Sequence, residues 1–233
     1  MRHDWSWKAA TKCFAVGLLV FGLTVGLAPV VGAIPIADVD GIWQNPVGGV
    51  NVFINNATDP RTIRWGNASP PTSGYTWSPT LTPFNAPTDG TAFRLGTFNH
   101  LNFVIPAGTA ITSVDLNFQM QIDGTSIDGV FTFNHNETPN EGPNPEDVVT
   151  ISSPDLNTQF GFGGTLYNFS LLGFIPDIPG GGEPVTNFIT EEGKENPAGL
   201  YGAISVVPEP ATMLLLGSGL IGLAGFARRR FKK

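Results

Sequence analysis

The chain has 233 residues, 19 acidic against 12 basic side chains, and charged residues make up only 13% of it. That length suits one domain with tails, whose core needs no disulfide or metal staple. A formal charge of −7 on the whole chain, and of 4 − 17 = −13 on residues 34–207 with no basic patch, excludes a nucleic-acid binder, while 29 glycines and 20 prolines favour short strands and turns over long charged helices.

Residues 1–33 have the three parts of a secretory signal. Arg2, Lys8 and Lys12 form a basic start, "FAVGLLVFGLTVGLAPVV" an apolar stretch, and Val31-Gly32-Ala33 puts a small residue at the cut site. Cleavage by signal peptidase is expected after Ala33. It removes Cys13, the sole cysteine, so the exported body can form neither a disulfide nor a thiolate metal site. Cys13 also stands at the front of the apolar stretch, where a lipoprotein cysteine would stand at its end.

The body, residues 34–207, carries 17 acidic residues against four basic ones, Arg61, Arg64, Arg94 and Lys194. Alternation of period two dominates it. In "ITSVDLNFQMQID", Thr112, Val114, Leu116, Phe118, Met120 and Ile122 share one face, and Ser113, Asp115, Asn117, Gln119 and Gln121 the other. Shorter runs at 50–55, 62–65, 91–95, 98–105, 129–134, 148–152, 166–172, 187–190 and 199–206 are separated by clusters such as "NASPPTSG", "NETPNEGPNPED" and "PDIPGGGEP". About ten short strands predict an all-β domain, an antiparallel β-sandwich with jelly-roll-like connections. No internal repeat supports a solenoid or propeller.

The aromatics of the early body, Trp43, Trp65, Tyr75 and Trp77, could stack on sugar rings, but alternation of Trp65 with Ile63 favours core packing. Two histidines follow. In "GTFNHLNFVIPAG", Phe98, His100 and Asn102 share a face, with Asn99 on the opposite one; in "GVFTFNHNETPNEG", so do Phe131, Phe133, His135 and Glu137. Two such strands could present two imidazoles and a carboxylate to a metal, although a strand histidine is more often held by a backbone carbonyl, the reading expected here.

Carboxylates offer other chemistry. Asp123 and Asp128 bracket "GTSI" in an expected hairpin, and Glu146 and Asp147 lead into a strand; such pairs serve glycosidases when suitably spaced, or calcium through loop oxygens. "DGTSIDG" fails the EF-hand pattern at Ile127, and "GFGGTLYNF" lacks the Asp of the Gly-rich calcium repeat. There is no P-loop, GxSxG elbow or HExxH helix. The metal candidates are thus His100, His135, Glu137, Asp123 and Asp128, with no cofactor expected and calcium the ion left open.

The chain closes on "VPEPATMLLLGSGLIGLAGFARRRFKK". Residues 213–227 form an apolar run about 22 Å long as a helix, against roughly 30 Å of hydrocarbon core. The basic tip, Arg228, Arg229, Arg230, Lys232 and Lys233, is expected to stop transfer on the cytoplasmic side, with Pro208 and Pro210 holding Glu209 in extended chain before the helix. This closing stretch resembles the PEP-CTERM sorting signal of Gram-negative bacteria that make exopolysaccharide. The resemblance implies that Pro208, Glu209 and Pro210 are read by an exosortase, a membrane-embedded cysteine transpeptidase, with this chain as its substrate.

"IRWGNASPPTSGYTW", "FRLGTFNHLNFVI" and "FTFNHNETPNEGPNPEDVVTI" resemble landmarks of the choice-of-anchor K domain, the THxN family. Its namesake motif would place Thr where this chain has Asn99, followed by the matching His100 and Asn102; the likeness implies a surface domain and brings no catalytic residue. Three segments are therefore expected: a signal peptide with its helix (1–33), a β-sandwich (34–207) and a sorting signal with a transmembrane helix (208–233). The expected protein is not itself an enzyme. It is exported, held for a time at the inner membrane through its C-terminal helix, then released to the cell surface or matrix in a structural or polysaccharide-binding role. The alternatives are a carbohydrate-active hydrolase using Asp and Glu pairs, or a calcium-dependent adhesin.

Overall fold

The computed structural model describes residues 32–67, 69–139, 146–152, 157–177, 182–208 and 210–230. The expected signal helix, Glu209, Lys232 and Lys233 lie outside the described residues. In chain order the strands are β1 (Ala33–Ile36), β2 (Asp38–Gly48), β3 (Phe53–Asn55), β4 (Arg61–Trp65), β5 (Ser73–Pro79), β6 (Phe84–Pro87) and β7 (Phe93–Asn102). They continue with β8 (Ile111–Ile122), β9 (Thr125–Asn136), β10 (Asp147–Ser152), β11 (Asn157–Phe162), β12 (Thr165–Pro176), β13 (Asn187–Thr190) and β14 (Lys194–Val206), and helix α1 (Pro210–Arg230) follows.

A five-stranded sheet runs β13-β10-β9-β8-β2, a seven-stranded sheet runs β11-β12-β14-β7-β5-β4-β3, and β1 pairs with β6 in a ribbon. Every pairing of these strands is antiparallel. The expected jelly-roll-like sandwich is corrected here: the seven-stranded sheet curls into a half-barrel. Local chain geometry supplies the reason. Short turns keep successive strands side by side, as in β3-β4, β8-β9 and β11-β12, instead of sending them across to the other sheet. The β8–β9 turn is two residues, Asp123 at φ 43° and Gly124 at φ 76°, both left-handed as such a tight hairpin requires. Along β12 the register slips between Leu171 and Gly173, whose φ of 123° only glycine holds without strain, and this bulge helps bend the sheet.

Strands β2 and β5 escape sequence reading because Gly41, Pro46 and Gly74 look like breakers, yet all three lie in strands. The two runs expected at 91–95 and 98–105 fuse into β7. Between the sheets the aromatic core is continuous: Phe98 stacks on Phe133 at 5.2 Å and 9°, Phe118 on Phe131 at 4.8 Å, and Trp43 meets Phe133 edge-on at 5.5 Å. Trp43, Trp65, Tyr75 and Trp77 are all buried, so none offers a platform for a sugar ring.

A second correction concerns the C-terminus. Among the described residues no helix is long and apolar enough to cross a membrane. Gly217, Ser218, Gly219 and Gly222 dilute the apolar run of α1, and Arg228 ends it about 8 Å short of a hydrocarbon core. The expected transmembrane helix is thereby overturned, and with it the membrane as a partner and the transient stay at the inner membrane.

Candidate functional site

His100 sits on β7 two residues beyond Phe98, and His135 on β9 two residues beyond Phe133. The pleat therefore aims both imidazoles into the space that the phenylalanines fill one step earlier. Asp147 opens β10 in phase with the buried Val149 and Ile151, so its carboxylate also points inward. One ligand atom from each of His100, His135 and Asp147 lies within 4.8 Å of those of the other two, and all three residues are buried. The imidazoles meet edge-on at 5.1 Å and 90°, and the Trp65 ring lies over His100 at 6.2 Å and 29°.

The hydrogen bonds fix one tautomer. Thr190 Oγ1, at the end of β13, donates to the Asp147 carbonyl at 3.2 Å and sits 2.8 Å from His100 Nδ1. With its single proton spent, the hydroxyl accepts from Nδ1–H, which leaves His100 Nε2 as a bare lone pair. That atom is buried and has no hydrogen-bond partner. Asn102 supports the arrangement by donating to the Thr190 carbonyl at 3.3 Å.

His135 stands between a phenol and an acid. Tyr75 Oη lies 2.8 Å from Nδ1, and Glu137 Oε2 lies 3.0 Å from Nε2. The phenol can donate to or accept from Nδ1, so His135 can present Nε2 either as a donor to Glu137 or as a free ligand atom. Asp147 Oδ1 accepts from the Thr138 backbone N–H at 2.8 Å, whereas Oδ2, 3.9 Å from His135 Nε2, is buried without a hydrogen-bond partner.

Burial sets the protonation states. It pushes the His100 pKa well below 6.5, helped by His135, and brings His135 down to about 4 against the pull of Asp147. It pushes Asp147 up to about 6 and also raises Glu137. Burial, then Asp147 and Glu137, lift Glu192 in the β13–β14 turn to about 7. Burial likewise raises the Tyr75 phenol, which keeps its proton. Neutral imidazoles beside acids are a donor set suited to a divalent transition ion, and imidazole with carboxylate also suits proton transfer.

Beside the cluster lies a cleft of about 380 Å³, lined by His135, Glu137, Thr138, Ile105, Ile111 and Pro139 among others. It gives the site a way out to solvent on the Glu137 side. The expectation that this body carries no enzymatic site is overturned by this buried cluster, whose residues form a network that can bind a metal or do acid–base chemistry.

Of the sequence candidates, His100, Asn102, His135 and Glu137 come together here. Asn99 faces away and donates to Glu195 Oε2 at 3.1 Å. Asp123 and Asp128 stand apart at the β8–β9 hairpin, where Asp128 accepts from Gln119 at 2.9 Å and Ser126 at 2.8 Å on the exposed face. Neither histidine side chain is held by a backbone carbonyl, contrary to the expected packing role. Sequence reading paired Asp147 with Glu146 instead of with the histidines, weighed Tyr75 only as an aromatic platform, and left out Thr190 and Glu192 altogether. An acid in phase with Val149 and Ile151 was the available signal for Asp147; the others show no local signal.

Residues 206–230 match the PEP-CTERM protein-sorting motif. No curated protein matches the chain.

Proposed function

We propose that this chain is an exported protein, delivered to the cell surface or extracellular matrix through its C-terminal sorting signal, whose β body holds a divalent transition-metal ion between His100, His135 and Asp147. One observation carries the reading. His100 Nε2 and Asp147 Oδ2 are buried atoms without hydrogen-bond partners, and one ligand atom from each of His100, His135 and Asp147 lies within 4.8 Å of the other two. A buried acceptor left unsatisfied costs about 1–3 kcal/mol, more when charged, and a metal ion relieves both at once.

A bound ion of this kind would polarise a substrate oxygen and lower the pKa of a water molecule. Glu137, at the cleft beside His135, is placed to accept a proton from what enters there. Metal-assisted hydrolysis is thus the activity the arrangement favours, and of the carboxylate pairs Asp123 with Asp128 and Glu146 with Asp147 only Asp147 stays in the reading, joined by Glu137. The likeness of the body to choice-of-anchor K domains supports surface placement. Signal peptidase and an exosortase are the processing partners, with Pro208, Glu209 and Pro210 as the recognition element.

The test is the metal content of the purified protein. About one equivalent of zinc, manganese or another divalent ion should be retained, or taken up on addition, and lost in His100→Ala and Asp147→Asn. Hydrolysis of surface polysaccharides or simple esters should then be abolished by a chelator. A wild-type chain that neither retains nor takes up any divalent ion would overturn the reading.

A further inference from the structure

Each imidazole of the cluster presents its Nδ1 to a hydroxyl at the same distance, 2.8 Å, Thr190 Oγ1 for His100 and Tyr75 Oη for His135. The two hydroxyls are not equivalent. That of Thr190 spends its proton on the Asp147 carbonyl at 3.2 Å, so it can only accept from His100. That of Tyr75 has His135 Nδ1 as its one hydrogen-bond partner among the described residues. The side chain is wholly buried, and the rings of Trp43, Trp65 and Phe98 packed round it offer no acceptor lone pair. The other imidazole in contact, His100, makes no hydrogen bond with it, since its Nδ1 is taken by Thr190 and its Nε2 has no partner.

The buried phenol proton is satisfied only if Oη donates to Nδ1, because the reverse bond leaves the O–H without an acceptor. Without a metal, His135 therefore carries its own proton on Nε2, where Glu137 Oε2 accepts it at 3.0 Å. The same nitrogen lies 3.9 Å from Asp147 Oδ2 and is the ligand atom that an ion in the cluster needs. His100 is bare at Nε2 and His135 is capped there. The two hydroxyls thus set the two histidines in opposite tautomers. Glu137 is meanwhile engaged through one oxygen, while its Oε1 is buried without a partner.

We propose that Tyr75 is a positioning residue that makes ion loading and the release of Glu137 one event. This rests on the metal reading given above and deepens it. An ion on His135 Nε2 requires the other tautomer, with the proton on Nδ1 and Oη turned from donor to acceptor. The ring carries one proton before and after. The phenol O–H loses its acceptor, and that cost makes the ligand-ready form of His135 a minor one, which lowers the apparent affinity in proportion. Glu137 in turn loses its donor, so both of its oxygens become free at the cleft to take a proton from a substrate. The base is therefore released only where the ion is in place.

The probe is zinc added to the full chain, with affinity measured by competition against a chelating dye. NMR of the isotope-labelled histidine ring nitrogens, which tells a protonated nitrogen from a bare one, reads the tautomers. After chelator treatment His100 should carry its proton on Nδ1 and His135 on Nε2, and zinc should move the second to Nδ1. Tyr75→Phe keeps the buried ring, removes the hydroxyl and should bind zinc about tenfold more tightly. Thr190→Val frees the His100 proton and should weaken binding by about tenfold or more, while Thr190→Ser should stay near the wild type. A merely structural hydroxyl would give losses at both sites, so the opposite signs identify the role of Tyr75. Wild-type zinc binding with Tyr75→Phe no tighter, or with His135 already protonated on Nδ1 in the metal-free chain, would overturn that role alone. Absence of zinc binding by both the wild type and Tyr75→Phe would overturn the metal reading and this inference together.

Discussion

One step of two residues along β7 and β9 changes the nature of the interior. At Phe98 and Phe133 the strands face each other through parallel rings 5.2 Å apart; at His100 and His135 the rings are 5.1 Å apart and perpendicular. All four residues are buried. The phenylalanine end is dry and self-sufficient, because each ring is satisfied by its neighbours through dispersion and offset stacking. The histidine end reaches outward for partners, finds Thr190, Tyr75 and Glu137, and still leaves His100 Nε2 and Asp147 Oδ2 without any. The first region holds the sheets together; the second is where the fold carries a cost that binding can recover.

The comparison breaks most plainly through truncation. Phe133→Ala should cost about 3–5 kcal/mol by urea denaturation, because the hole opens between two packed sheets. His100→Leu should lie within about 1.5 kcal/mol of the wild type, since it exchanges an unsatisfied polar ring for an apolar side chain that fits the space. Equal losses in the two variants would erase the distinction between the ends. Metal addition sharpens it next: zinc at about a hundred times its dissociation constant should stabilise the wild type by about 2.7 kcal/mol and leave His135→Ala unmoved in thermal melts.

Acidity separates the groups inside the polar end. The folded His135 titrates near 4, below its ordinary 6.5, so its stabilising contribution is complete above pH 6.5 and is lost as pH falls toward 4. Asp147 titrates near 6, above its ordinary 3.8, so the native state takes up its proton first and gains stability as pH falls from 6 toward 3.8. The two slopes oppose each other in the wild type. Asp147→Asn removes the second and also the pull that holds the His135 pKa up, so its stability should fall more steeply than the wild type between pH 6.5 and 4, by up to about 1.4 kcal/mol per pH unit. Parallel profiles in urea titrations at several pH values would contradict the assignment. The smallest effect is expected at the far hairpin, where Asp128→Asn should change stability by no more than about 0.5 kcal/mol and zinc affinity less than twofold.

Alternation in the sequence reveals β8, β9, β10 and β13, because one wet and one dry face leave a period of two. It fails for β2 and β5, where Gly41 and Gly74 lie inside strands for reasons of close packing. A Cβ at Gly41 would meet the Trp77 indole at 3.0 Å, and one at Gly74 would run into the Ile63 carbonyl. Those contacts come from other strands and leave no trace in the local pattern. The sorting motif at 206–230 is legible because it is a linear signal with its parts in order.

What the sequence determined by itself was local: the β character, the inward phase of His100, His135 and Asp147 on their own strands, and the motif that closes the chain. Which of these strands face one another was decided by the tertiary structure. Strand pairing sets β10 beside β9 and β13 beside β10, and the facing sheet brings β7 over them, so Asp147 and Thr190 reach histidines 12 and 90 residues away in the chain, while Asp123 and Asp128 are left at a distant turn. The physical reason is that period-two order fixes the direction of a side chain, whereas its partners depend on register between strands distant in sequence, and no local spacing encodes that.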